Sequence, residues 1–232
     1  MITFIDPATG YEVRVIRKPI RRLYLRVREG KSVEVTAPRR VSEQEIRDFV
    51  AGKTAWLTKY MTLVPEKIKF QYVTGEIHHI FGRAYPLQVC LGSRDDAVVS
   101  ADGELRLVLR TKQREREKVF KAGMKRILLW EIAKQLEIWT KRMAIPESRI
   151  TGVTIRVMKS RWGSCRRVTG RFSFALDLVT KPKECIEAVV VHELCHLFAA
   201  GHGPDFYARM ETYLPDYKER DRLLSSLPRE LV

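Results

Sequence analysis

The chain has 232 residues, 45% hydrophobic and 31% charged, a balance that supports a buried core and excludes intrinsic disorder. Its 43 Lys and Arg against 28 Asp and Glu leave a net charge of +15, which suits nucleic acid or a nucleotide and equally a solvated basic face. No run approaches the roughly 20 apolar residues of a membrane span, the opening residues lack the basic and apolar regions of a signal peptide, and Cys90, Cys165, Cys185 and Cys195 form neither a disulfide scaffold nor a Cys-x-x-Cys metal site.

A cytoplasmic protein with reduced thiols and no membrane partner is therefore expected. The basic surplus concentrates early: residues 14–40 carry ten Lys and Arg against Glu29 and Glu34. Within that stretch Val13, Val15, Leu23, Leu25, Val27, Val33 and Val35 alternate with polar positions, which predicts a small antiparallel sheet with a hairpin turn at Glu29-Gly30-Lys31. Ser42-Glu43-Gln44-Glu45 then reads as a capping box before Ile46, Phe49, Val50, Trp56, Leu57 and Tyr60, a helix of about 18 residues with a weak point at Gly52.

Strand patterns return at Ile80-Phe81, 87–91, Val98-Val99 and 105–109, with a hairpin at Ala101-Asp102-Gly103. From Gln113 to Met143 the positions Phe120, Met124, Ile127, Leu128, Ile132, Leu136 and Trp139 repeat at helical spacing, and Ile145-Pro146 ends the helix. The remainder reads as a strand at 153–158, a loop through Trp162-Gly163-Ser164-Cys165, a strand at 171–174, and helices over 183–200 and 205–213. The fold class is α+β. A basic β-rich module with one helix is expected over residues 1–110, and a second α+β domain over 111–232.

The segment 189–204 carries the chemistry. His192-Glu193-Leu194-Cys195-His196 is an HExxH motif with an apolar lead-in. On a helix, residues i and i+4 share a face, so His192 and His196 can both reach one Zn²⁺ at about 2.0–2.1 Å. Glu193 lies about 100° round the helix, where a general base for the metal's water belongs. His202 is the best third ligand. On an unbroken helix it would stand about 240° and 9 Å away from His196, so the helix must stop, and Gly201 with Gly203-Pro204 supplies the break. Other divalent transition metals fit three imidazoles as well. A second metal site at His78 and His79 is disfavoured for lack of partners, and Cys165 and Cys195 are read as packing residues.

These motifs resemble the YgjP-like metallopeptidase family, relatives of the SprT-like and WLM zincins. Arg22-Leu23-Tyr24-Leu25-Arg26-Val27, Pro38 and Trp56 are similar to its N-terminal half. Trp162-Gly163-Ser164-Cys165, the HELCHL run, His202, Phe206 and Pro215-Asp216-Tyr217-Lys218 are similar to its C-terminal half. Gly203, Tyr207 and Ala175 stand where family members often carry Ser, Trp and Asn. The resemblance implies a zincin-like domain, its HExxH helix packed on a small sheet, with His192, His196 and His202 binding zinc and Glu193 activating water. Arg161 and Ser164, on the segment preceding the metal helix, are candidates to bind substrate; Tyr207 and Tyr213 are candidate hydrogen-bond donors, with packing of the last helix the favoured role for both.

Peptide hydrolysis is the leading expectation. The same metal and base also suit a phosphoanhydride, and the family resemblance brings in nucleoside-triphosphate pyrophosphatase activity on UTP. A third possibility is a DNA-associated protease or nucleic-acid-binding protein, its basic N-terminal module holding the nucleic acid.

Overall fold

A computed structural model describes residues 2–28, 32–63, 69–112 and 115–231. The chain is a mixed α+β protein that divides into two compact units, Met1–Lys69 and Phe70–Val232. The boundary expected at residue 110 is thereby moved to 69/70. The physical reason is a shared core: Leu87, Leu105 and Leu107 of the 77–109 strands bury with Phe120, Met124 and Leu128 of the helix that follows. A cut at 110 would expose both sides of that contact to water.

In the first unit, β1 (Ile2–Ile5), β2 (Glu12–Lys18), β3 (Tyr24–Arg28) and β4 (Ser32–Pro38) form a sheet in the order β1-β2-β4-β3. Alternation holds, since Val13, Val15, Val33 and Val35 all face the core. The predicted antiparallel arrangement holds only in part: β2 and β4 run parallel, with Val13 opposite Val33 and Val15 opposite Val35. A period of two fixes which side chains point inward and leaves strand direction open. The turn read at Glu29-Gly30-Lys31 lies outside the described residues, between the antiparallel β3 and β4.

Ser42 caps α1 (Glu43–Ala51) in a full capping box: its hydroxyl accepts from Glu45 N at 3.2 Å, and its own N–H donates to the Glu45 carboxylate at 2.7 Å. The single helix expected here is two. Gly52 donates to Asp48 O and Lys53 to Val50 O, closing α1 before α2 (Thr54–Leu63) begins. Ile46, Val50 and Leu57 cover the buried valines.

The second unit begins with β5 (Ile77–Ile80), β6 (Arg83–Leu91), β7 (Asp96–Val99) and β8 (Leu105–Leu109), in the order β5-β6-β8-β7. Two antiparallel pairs are again joined by a parallel pair. The two four-stranded sheets therefore share one connectivity, although the sequence shows no repeat. Helix α3 (Arg116–Arg142) lies on β7 and β8, and the close approach needs Gly123, where a Cβ would fall 2.2 Å from Ala97 O.

A third sheet holds β9 (Gly152–Arg156), β10 (Gly163–Arg166) and β11 (Arg171–Ala175) in the order β10-β11-β9. The loop predicted at 162–165 is thus an edge strand from Gly163 onward. Its Gly and Ser carry no strand signal of their own, and β11 supplies the pairing. Next come α4 (Lys183–Cys195), α5 (Pro204–Tyr213) and an unforeseen α6 (Tyr217–Ser226). Asp177 is fully buried and its Oδ1 accepts from the N–H groups of Glu230 (2.9 Å) and Leu231 (2.7 Å), which fastens the segment 228–231 to the core. Among the described residues no helix is long and apolar enough to cross a membrane.

Candidate metal centre

Helix α4 is buried on almost every side, with Ile186, Val190, Val191 and Leu194 inaccessible to solvent. It stops earlier than the predicted residue 200. His196 is already the C-cap, and the turn through Gly201 leads to Gly203, the N-cap of α5, with Pro204 in its first turn. That break brings His202 back over the end of α4, as the spacing argument requires.

The three imidazoles converge. His202 Nε2 lies 3.1 Å from His192 Nε2, and the ligand atoms of His192, His196 and His202 all fall within 4.8 Å of one another. Two nitrogens bound tetrahedrally at about 2.0–2.1 Å from one ion stand about 3.3 Å apart, so this separation fits a shared metal. His196 Nδ1 sits 3.3 Å from the Ala199 carbonyl; in the tautomer that donates there, Nε2 keeps its lone pair for a ligand role. Burial, reinforced by the neighbouring His196 and His202, pulls His192 down to about 4. Burial also lowers His196. Both rings are thus held neutral, the form that coordinates.

Phe206, fully buried on α5, forms the floor of the triad, its ring centroid 4.7–4.8 Å from each of the three imidazoles. Apart from the resemblance, no sequence signal points to Phe206 at the metal centre; its shape, not a lone pair, is what the site uses.

Glu193 is 4% exposed, and its Oε2 has no hydrogen-bond partner. Burial pushes its carboxyl up to about 7, against the Arg161 charge and a hydrogen bond from the Cys165 backbone. A buried carboxylate oxygen without a partner is costly. A cation with coordinated water beside it would relieve that cost, so the residues present fit a divalent metal. Room for Glu193 comes from Gly163 on β10, where a Cβ would stand 2.6 Å from Oε1 and 2.7 Å from Cγ.

These groups line one cleft of about 600 Å³, walled by Arg161, Trp162, Ser164 and Arg167 on the sheet side and by Tyr207 and Tyr217 on the helical side. Arg161, Ser164 and Tyr207 therefore all reach the same cavity as the triad. Tyr213 packs against the core, its favoured role. Cys195 is buried and Cys165 packs half-buried against the core, both as expected, and Cys165 also lines the cleft. Arg229 pins the Arg161-Trp162 segment: its guanidinium lies 3.6 Å from the Trp162 ring centroid and donates to Met158 O at 2.8 Å. His78 pairs with Glu76 at 3.0 Å and His79 with Glu230 at 3.1 Å, and among the described residues no second cluster of metal-ligating side chains occurs.

A family profile described as YgjP-like, metallopeptidase domain, matches residues 21–227. No curated protein matches the chain. Among solved structures, the crystal structure of the metallopeptidase zymogen of Pyrococcus abyssi abylysin is similar at 23% identity, covering 44% of this chain and 99% of that one with a TM-score of 0.37.

Proposed function

Because the chain belongs to the YgjP-like metallopeptidase family, we propose that it hydrolyses peptide bonds at the centre built from His192, His196, His202 and Glu193, in a zincin-like second unit. One observation carries this reading: a buried carboxylate with an unpartnered oxygen lines the same cleft as three convergent imidazoles. Zinc is the metal we assign, since three imidazole ligands and an open position suit it.

When bound, the ion supplies Lewis acidity, which makes water a nucleophile near neutral pH and polarises the carbonyl under attack. Glu193 takes the proton from the attacking water and returns it to the leaving amine. Its buried setting and elevated pKa suit a group that must both accept and give a proton. Arg161 and Ser164 hold the substrate from the β10 side, and Tyr207 donates a hydrogen bond from α5 to the developing oxyanion. A reducing, cytoplasmic setting accords with four free cysteines.

The presence of Arg161 and Arg167 in the cleft favours a second reading, hydrolysis of a nucleoside triphosphate such as UTP by the same groups. One experiment decides. The zinc-loaded chain and Glu193→Gln are assayed on a peptide library and a nucleotide panel, with metal content measured. Peptide cleavage abolished in the variant while one zinc per chain is retained supports the peptidase; turnover of nucleotides alone overturns it.

A further inference from the structure

The outer face of the third sheet has an unusual composition. Register sets Ser164, Ser173 and Thr154 side by side across β10, β11 and β9, with Thr154 Oγ1 and Ser173 Oγ 2.9 Å apart. Two residues along, on the same face, Arg166 stands directly opposite Arg171, and Arg156 extends the row at the other end. The opposite face buries Phe172 and Phe174. The result is a band of hydroxyls framed by guanidinium groups.

This face lines a cavity of about 770 Å³ that includes Arg156, Arg161, Arg166 and Arg171 but no Asp or Glu. None of the four forms an ion pair among the described residues. Like charges directly opposite on a ladder are destabilising, so the pair Arg166 and Arg171 is a cost that an anionic ligand would remove. Arg161, Ser164 and Cys165 line both this cavity and the metal cleft, so the two spaces adjoin along β10.

We infer that the outer face of β9–β11 is a subsite for acidic side chains of a peptide substrate whose scissile bond lies at the metal centre; the inference rests on the peptidase reading above. Arginine forks and hydroxyl donors match carboxylate oxygens. The face offers no exposed aromatic ring on which a base could stack, which argues against a nucleic acid there. Binding strength then depends on carboxylates placed beside the scissile bond.

The test measures binding, which needs no turnover. Fluorescence anisotropy follows the zinc-loaded full chain with a short labelled peptide carrying several glutamates, its glutamine counterpart, and a single-stranded oligonucleotide. The glutamate peptide should bind about ten-fold more tightly than the glutamine one. Arg156→Glu combined with Arg171→Glu, both at exposed positions, should erase that preference with circular dichroism and zinc content unchanged. Should the double variant not fold, the single variants Arg156→Gln and Arg171→Gln should each weaken it. Equal binding of the two peptides, a preference that survives the substitutions, or tighter binding of the oligonucleotide through the same arginines overturns the proposal. An inactive protein that keeps the preference defeats the peptidase reading alone; an active peptidase indifferent to glutamate defeats the subsite alone.

Discussion

Glu193 lies against β10 because residue 163 has no side chain, and a methyl group there would meet its carboxylate at 2.6 Å. Gly163→Ala should therefore displace Glu193, the base we propose, while leaving the three histidines in place. We expect peptidase turnover to fall by about 100-fold or more, with one zinc per chain retained, read by kcat and metal analysis. Phe206 acts by a similar logic of shape, filling the space beneath all three rings. Neither residue is legible as chemistry in the sequence. The spacing of His192 and His196 and the break at Gly201 and Gly203-Pro204 can be read because helical geometry dictates them. What Gly163 and Phe206 contribute is volume, given or withheld, and volume is visible only once the chain has folded.

Helix α3 ends in a Schellman arrangement, with Ile145 N donating to Thr140 O at 2.9 Å and Ala144 N to Lys141 O at 3.2 Å. The residue at its left-handed position is Ala144, with φ of 50°, where glycine is the usual occupant. Ala144→Gly should raise stability by up to about 1 kcal/mol, the relieved strain exceeding the added freedom of the unfolded chain, as measured by urea denaturation. Farther along the same helix, Glu131 meets Lys183, the first residue of α4, at 2.9 Å. Burial works to raise this carboxyl, but hydrogen bonds from Gln135 and Lys183 outweigh it and hold it below the usual carboxylate range. A depressed folded-state pKa contributes stability above the unfolded value and loses it as pH falls through the folded one. Glu131→Gln should accordingly make the fall of Tm between about pH 5 and pH 3 shallower than in the wild type. The two helices were legible in the sequence; the partner that joins them was not, because 51 residues of intervening chain separate Glu131 from Lys183 in sequence.

Across the whole molecule, the sequence disclosed an α+β chain but misplaced its division, because local patterning carries no record of which strands share a core with which helix. The parallel pairing inside both four-stranded sheets was hidden for the same reason. Long-range fastening is also the lesson of the segment 228–231, which Asp177 anchors and whose Arg229 holds Trp162 at the cleft. Arg229→Ala should loosen the 158–163 segment, seen as faster amide hydrogen exchange there, at a cost of about 1–2 kcal/mol in stability. This anchoring has a temporal side. Chains emerge from the ribosome N-terminus first, so α4 and α5, with all three imidazoles, leave the exit tunnel before residue 228 does. During synthesis the wall carrying Arg161 and Trp162 therefore has no clasp until Arg229 itself is released, and the cleft is the last part of the second unit to be completed.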